Sequence, residues 1–220
     1  MNSFLIFILT ISVIFIFSKK VANELFIFVY RLTKHKKTAS YFLALLYFPG
    51  TVIHEFSHFF AAALLFLPLG EINLIPEVND DGIKLGSVSY VRKDFVRGLL
   101  VGIAPFFSGL FFFYVLSRLD LTILSLWIRL IISYFMIVIS SAMFSSKKDL
   151  ADLVFFLPFL GIVGIVLYIF RIDIISPLFN PIISSPFLSF FEKINVFLLL
   201  SGMINVGTYL LLRFANKRTL

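Results

Sequence analysis

Cysteine is absent from the sequence, and charged residues are few. Without cysteine there can be no disulfide framework, no thiolate nucleophile and no cysteine-ligated zinc or iron–sulfur centre. Charged residues make up 14% of the 220 residues, against about 25% in an ordinary soluble domain. So few charges cannot cover the surface of a water-soluble globule, and this excludes that class together with disordered chains, collagens and coiled coils.

Apolar residues dominate what is present. They make up 60% of the chain, 30 residues are phenylalanine, and the mean hydropathy is +1.03. Soluble domains average about 45–50% apolar residues. The composition therefore predicts an all-α polytopic membrane protein, with residues 1–220 forming one domain embedded in the lipid bilayer.

The net charge of +7 comes mainly from basic residues in short segments between apolar runs. One of these segments, residues 31–37, reads RLTKHKK. The positive-inside rule and the attraction of anionic lipid headgroups account for this placement. We therefore expect no nucleic-acid partner.

Six apolar runs predict about six transmembrane helices, because about 20 apolar residues suffice to cross a hydrocarbon core of roughly 30 Å. The runs cover residues 4–17 with a possible continuation through 21–30, then 41–67, 95–116, 121–144, 150–170 and 187–214. The run 41–67 carries the motif described below, 95–170 holds the remaining core helices, and 187–214 forms a C-terminal helix. Three prolines in residues 171–186 predict a loop or re-entrant segment there.

Two features complicate this count of spans. Pro49 and Gly50 interrupt the second run and predict a kink or a new helix start near Thr51. With residues 31–37 in the cytoplasm, six simple crossings would place the basic C-terminus outside, against the charge rule. We therefore expect one run not to cross, and residues 18–30 and 171–190 are the candidates.

A polar segment follows the second apolar run. Residues 70–93 alternate imperfectly between apolar and polar positions, and their flanks are rich in isoleucine and valine. Asp81-Gly82 is a strong signal for a two-residue hairpin turn. The segment therefore predicts a short β-hairpin at the membrane surface, directly after the helix of residues 41–67.

Residues 54–58 read HEFSH, an H-E-x-x-H motif. On a helix, residues i and i+4 lie on one face, so His54 and His58 can bind one zinc ion. Glu55 lies beside them and can act as general base toward a zinc-activated water. Ionisable side chains within an apolar span are costly, which favours a functional site over a helix-end cluster facing a polar cavity. The third histidine, His35, lies among lysines and is interpreted as a solvated loop residue.

Two histidines leave a catalytic zinc short of its usual three protein ligands. Because cysteine is absent, the third ligand should be an acid from another span. Asp149 and Asp152 flank an apolar run and are the main candidates. Asp149 could instead cap a helix, because Ser146 precedes it with the spacing of a capping box. The residues alone leave this choice open. The other acids near span ends are Asp120, predicted to be solvated, Asp173 and Glu192.

These motifs resemble the site-2-protease family of intramembrane zinc metalloproteases, the M50-like group. That family carries H-E-x-x-H in one membrane helix and a Gly-Pro-x-x-Asn element in the next core helix. An Asn-x-x-Pro run then leads to an Asp-Gly whose aspartate is the third zinc ligand. Here residues 104–109 (APFFSG) are similar to the second element, with Ala104 in place of Gly and Ser108 in place of Asn.

The third element is similar only in outline. Asp149 takes the place of the family's aspartate, and Ser141 stands where the family has Asn. Phe144 replaces the Pro and Leu150 replaces the Gly, and no PDZ domain is inserted. The resemblance covers about residues 50–150.

The resemblance implies an enzyme that hydrolyses peptide bonds of membrane-spanning proteins, as in regulated intramembrane proteolysis. It implies zinc as cofactor, His54, His58 and Asp149 as ligands, and Glu55 as the catalytic base. Ser108 and Ser141 would contact substrate. The nearest type is a small bacterial member, which implies the cell membrane of a prokaryote.

Two other functions stay open at this level. One is a non-proteolytic zinc-binding membrane protein. The other is an ion or proton transporter whose His/Glu cluster lies on the conduction path. The sequence has no inverted repeat, which argues against transport.

Overall fold

The computed structural model describes residues 2–79, 82–84, 86–144, 166 and 181–218. Within these ranges the chain is mostly helical, as its composition predicts. The helices are α1 (Asn2–Thr33), α2 (Lys36–Leu64), α3 (Phe95–Leu116), α4 (Leu126–Ala142) and α5 (Pro181–Arg218), and between α2 and α3 lie the strands β1 (Leu69–Asn73), β2 (Glu77–Asn79), β3 (Gly82–Lys84) and β4 (Ser87–Tyr90).

Three of the described helices are long and apolar enough to cross a membrane. They contain the spans Leu5–Thr33, Phe95–Leu116 and Ser189–Lys217, while α4 is apolar but shorter, at 17 residues. These helices mark the chain as a membrane protein. Six spans are not observed in the described part of the chain, and the predicted run 150–170 lies outside it except for residue 166.

Helices α1 and α5 run side by side in the same direction. Asn195, in the first half of α5, donates to the carbonyl of Ser3 near the start of α1. Asn216 donates to the carboxylate and the carbonyl of Glu24 near their ends. The basic residues after α1 and those at the end of α5 therefore lie at the same end of the bundle. This removes the conflict with the charge rule that six simple crossings would create.

Two of the predicted helix boundaries are wrong. Residues 181–186 are helical rather than part of a loop. Pro181 is tolerated because it is the first helical residue, whose N–H has no intrahelical partner. The other error is the start of α4, which begins at Leu126 rather than at residue 121.

The segment before α4 is held by a local turn. The exposed Asp120 carboxylate accepts hydrogen bonds from the backbone N–H and the hydroxyl of Thr122. The hydroxyl, followed by the N–H, lowers the pKa of Asp120 below its ordinary value. This side-chain turn competes with helix formation and accounts for the delayed start.

Helix α2 continues through Pro49, so the new helix start expected near Thr51 as one alternative is not found. The glycine that follows Pro49 shapes the contact with α4. A Cβ at Gly50 would lie 2.7 Å from both Cγ1 and the carbonyl oxygen of Val138. The Tyr134 hydroxyl donates to the carbonyl of Leu46 across the same contact, at 2.7 Å. The missing side chain therefore lets α4 approach closely enough to reach the H-E-x-x-H turn.

The predicted hairpin is present as two antiparallel pairs, β1 with β4 and β2 with β3. Asn79 pairs with Gly82, so Gly82 belongs to a strand and the reversal lies one residue before the predicted Asp81-Gly82 turn. Pro76 lies between β1 and β2, where its missing N–H interrupts the ladder. The pair β1–β4 packs against α2 and thereby lies over the motif helix.

Candidate metal centre

His54, Glu55 and His58 lie within α2 and are all buried, with 4%, 8% and 7% of their surface exposed. The helical spacing predicted from the motif places the two imidazoles on one face. Their rings are 4.7 Å apart between centroids and nearly perpendicular, at 88°. The described structure therefore brings both predicted histidine ligands together inside the bundle.

Each imidazole is anchored through its Nδ1 by a backbone carbonyl of a different helix. Nδ1 of His54 lies 2.7 Å from the carbonyl oxygen of Ala142 in α4. Nδ1 of His58 lies 2.8 Å from the carbonyl oxygen of Val101 in α3. A carbonyl can only accept, so both Nδ1 atoms carry the proton. Such a contact through Nδ1 is usual for a histidine that binds a metal through Nε2.

The two carbonyls can accept these bonds because the helices do not use them fully. Ala142 is the last residue of α4, and the last carbonyls of a helix have no intrahelical donor. Val101 lies four residues before Pro105, which has no N–H to donate to it. The proline of the APFFSG element thus has a local physical role: it releases the carbonyl that orients His58.

The Nε2 atoms of His54 and His58 face each other at 3.1 Å. Two nitrogens bound to one tetrahedral zinc at about 2.0–2.1 Å would lie roughly 3.3–3.4 Å apart. The pair therefore fits two ligands of a zinc ion with little rearrangement.

Glu55 lies beneath the hairpin. A Cβ added to Gly86, the residue before β4, would lie 2.9 Å from Cγ of Glu55 and 2.9 Å from Cγ2 of Thr51. The backbone of Gly86 therefore covers the predicted catalytic base, and only glycine fits there without displacing it. This contact was not predicted, because no local pattern around Gly86 indicates which helix the hairpin covers.

Ser108, predicted to contact substrate, connects α3 with α2. Its Oγ lies 2.6 Å from Oγ of Ser57 inside the motif and donates to the carbonyl of Pro105 at 3.0 Å. Both hydroxyls are half-buried. Ser108 is thus adjacent to the motif helix, with a hydroxyl already engaged in helix packing.

Ser141, the other predicted substrate residue, lies beside the histidine anchor. It precedes Ala142 and lines a cavity of about 140 Å³ between α1, α2 and α4. Its hydroxyl donates to the carbonyl of Ile137 and is a hydrogen-bonding partner of Tyr47. Thr51 and Lys19 line the same cavity, which lies one helical turn from His54.

The two main candidates for a third ligand lie outside the described residues. Asp149 and Asp152 are both outside the described residues, as are Asp173 and the serine of the alternative capping box. Within the described part of the chain, no group of three or more His, Asp or Glu side chains is placed to hold a metal. His35 is exposed at the start of α2, at the opposite end of that helix from the hairpin.

Comparison with known proteins adds no identification. No protein-family model, no curated protein and no solved structure matches the chain. The resemblance to the site-2-protease family therefore rests on the motifs of the sequence.

Proposed function

We propose that this protein is a zinc-dependent intramembrane protease that hydrolyses peptide bonds of membrane-spanning substrates. One observation carries the proposal: two imidazoles within a membrane bundle, each fixed through Nδ1, present their Nε2 atoms 3.1 Å apart beside a buried glutamate. Buried ionisable groups inside a membrane protein are costly and are typical of function.

His54, His58 and Asp149 are the proposed ligands, with Asp152 as the alternative third ligand. Helix α4 ends where Ala142 meets His54, so the chain leaves α4 at the site. Asp149 lies five residues beyond Phe144, and five residues span at most about 18 Å. A carboxylate at either position is thus within reach of the two histidines.

Glu55 is the proposed general base and acid. When bound, zinc supplies Lewis acidity that polarises the scissile carbonyl and acidifies water. Glu55 takes the proton from the attacking water and passes it to the leaving amine. Its burial under Gly86 excludes bulk water and strengthens these electrostatic interactions.

The proposed substrate is a transmembrane segment of another protein. A helix hides its carbonyls in its own hydrogen bonds, so the segment must unwind before cleavage. The hairpin lies over the site and can hold an extended strand by edge pairing. The family resemblance places such an enzyme in the cell membrane of a prokaryote.

The first test is the zinc content of the purified full-length protein. We expect about one zinc per chain, lost in His54→Ala and His58→Ala, because each change leaves a single imidazole. His35→Ala is the matched control and should keep its zinc. Retention of zinc in both site variants would contradict the assignment.

Glu55→Gln separates a protease from a silent zinc-binding protein. It keeps the shape of the side chain but removes the base, so zinc should stay while cleavage of a reconstituted membrane substrate falls about 10²–10⁴-fold. Bound zinc without cleavage in the wild type would favour the non-proteolytic alternative. Ion flux that depends on the cluster would favour a transporter.

Asp149→Asn and Asp152→Asn identify the third ligand when measured side by side. Each change keeps the size of the side chain and removes its charge. We expect Asp149→Asn to lose zinc and activity and Asp152→Asn to keep both. A purely capping role for Asp149 predicts a loss of about 0.5–2 kcal/mol of stability with zinc retained. The reverse pattern would make Asp152 the ligand.

A further inference from the structure

A cluster of wholly buried polar side chains joins α4 to α5. Ser140 on α4 and Ser201 and Asn205 on α5 are each 0% exposed. The Ser201 hydroxyl lies 3.0 Å from Oγ of Ser140 and 3.2 Å from the carbonyl oxygen of Met136. The Asn205 amide lies 3.4 Å from Oγ of Ser140 and donates to the carbonyl of Ser201. Such a cluster is costly in a membrane bundle unless its geometry is well defined.

This cluster contacts the last turn of α4, the same turn that anchors His54. Ser140 is two residues before Ala142, whose carbonyl accepts from Nδ1 of His54 at 2.7 Å. On one side, this last turn of α4 packs closely against Gly50 of α2. On another side, it is hydrogen-bonded to the polar side chains of α5. The position of the Ala142 carbonyl therefore depends on how α5 holds the end of α4.

We propose that Ser201 and Asn205 are positioning residues for the metal centre. They fix the last turn of α4, so that the Ala142 carbonyl holds the His54 ring with its proton on Nδ1 and Nε2 directed to the metal. This inference rests on the proposed zinc function. It gives α5, which provides none of the proposed ligands, a direct effect on zinc affinity.

Asn205 also has a carbonyl oxygen, Oδ1, without a hydrogen-bond partner among the described residues. An unsatisfied buried acceptor lowers stability. The same is true of Asn195, which is also buried on α5 but bonds to Ser3 of α1. The two asparagines therefore match in residue type, helix and burial, and differ in whether they contact α4.

The experiment compares Asn205→Ala with Asn195→Ala in the detergent-purified full-length protein. Loss of outer-shell contacts to a metal-binding histidine typically weakens metal affinity about 10–100-fold. We expect that loss in Asn205→Ala, measured by chelator competition, and less than about a twofold change in Asn195→Ala. Equal zinc affinities of Asn205→Ala and the wild type, with both folded, would overturn the proposal. So would equal losses in the two variants, which would indicate general destabilisation.

A second pair of variants keeps the test decisive if Asn205→Ala does not fold. Ser201→Thr and Ser201→Val have the same shape and differ only in the hydroxyl. Retained zinc affinity in the threonine variant and weakened affinity in the valine variant support a role for the hydrogen bond. Identical affinities of the pair contradict it.

Nitrogen-15 NMR of the metal-free protein tests the positioning independently of zinc. Asn205→Ala should convert His54 from the Nδ1-protonated tautomer to a mixture of tautomers. His58, held by Val101 of α3, serves as the internal control and should not change. An unchanged His54 would refute the positioning role. A wild type with this tautomer but no affinity for zinc would instead refute the proposed function.

Discussion

Pro105 affects a backbone carbonyl that lies one helical turn earlier in α3, that of Val101. It withholds the N–H that would otherwise bond to the Val101 carbonyl, and His58 donates to that carbonyl instead. A proline within a transmembrane helix is often treated as a kink, yet the freed carbonyl can be the functional group. At the residue scale, the two histidines are therefore oriented by backbone defects: a helix end at Ala142 and a missing donor at Pro105.

Pro105→Ala should weaken zinc binding by about tenfold or more, the usual effect of disturbing a metal-bound histidine's second contact. The restored N–H at position 105 would compete with His58 for Val101. The helix itself should not be destabilised, because an interior proline costs about 3 kcal/mol. The measurement is zinc affinity by chelator competition.

Pro49→Ala is the matched control for this change. Pro49 also lies within a helix, but the carbonyl that it frees is that of Leu45, to which neither histidine bonds. Its zinc affinity should equal that of the wild type. If Pro105→Ala also binds zinc as tightly as the wild type, the role assigned to the freed carbonyl is wrong.

The hairpin and α4 determine the site at the scale of elements. Strands β1 and β4 lie against α2, and the backbone at Gly86 contacts the Glu55 side chain. Gly50 has no side chain, so α4 packs closely against α2 at that point. The last residue of α4, Ala142, then lies beside the motif, where its carbonyl accepts from His54. The proposed metal centre thus lies between one helix end and the base of one hairpin.

Gly86→Ala should lower turnover between about tenfold and a hundredfold, since a displacement of the base by roughly 1 Å can cost that much. The new Cβ would lie 2.9 Å from Cγ of Glu55 unless one of the two moves. Zinc content should not change, because the atoms nearest to that Cβ belong to Glu55 and Thr51 rather than to a histidine. Cleavage assays paired with metal analysis measure both quantities.

Gly207→Ala on α5 provides the neutral comparison, since a Cβ there would meet nothing within 4 Å. It should be as active as the wild type. Full activity in Gly86→Ala would mean that the hairpin backbone shifts to accommodate the new methyl group, and that the hairpin does not position Glu55.

The parallel packing of α1 and α5 organises the whole molecule. The contacts from Ser3 to Asn195 and from Glu24 to Asn216 place residues 31–37 and the end of α5 on one side. Helix α2 then runs away from that side, so the hairpin lies at the opposite end of the bundle. Basic residues concentrate at the first end, which the positive-inside rule assigns to the cytoplasm.

Single cysteines introduced at Lys34, Lys217 and Ile75 test this arrangement, and the absence of native cysteine removes background labelling. In intact cells, a membrane-impermeant maleimide should label Ile75→Cys, in the hairpin, and spare the other two. Permeabilised cells should show labelling of all three. Opposite labelling of Lys34→Cys and Lys217→Cys would contradict the parallel arrangement across a membrane.

The sequence by itself determined the class of protein and the placement of the two motif histidines on one helix face. Composition is a sum over residues, and the spacing of His54 and His58 is set within one helix, so neither depends on distant contacts. The sequence also predicted α3 and the hairpin closely, because apolar periodicity and turn residues act locally.

Only the tertiary structure decided what surrounds the motif. The anchor of His54 lies 88 residues away and the anchor of His58 43 residues away, and no local pattern specifies such a pairing. The same holds for Gly86 over Glu55 and for α5 beside α1. Pro49 and Pro186, interpreted from local rules as breaks, lie within continuous helices. Packing between helices outweighs one lost backbone hydrogen bond, and a linear sequence does not reveal which helices will pack together.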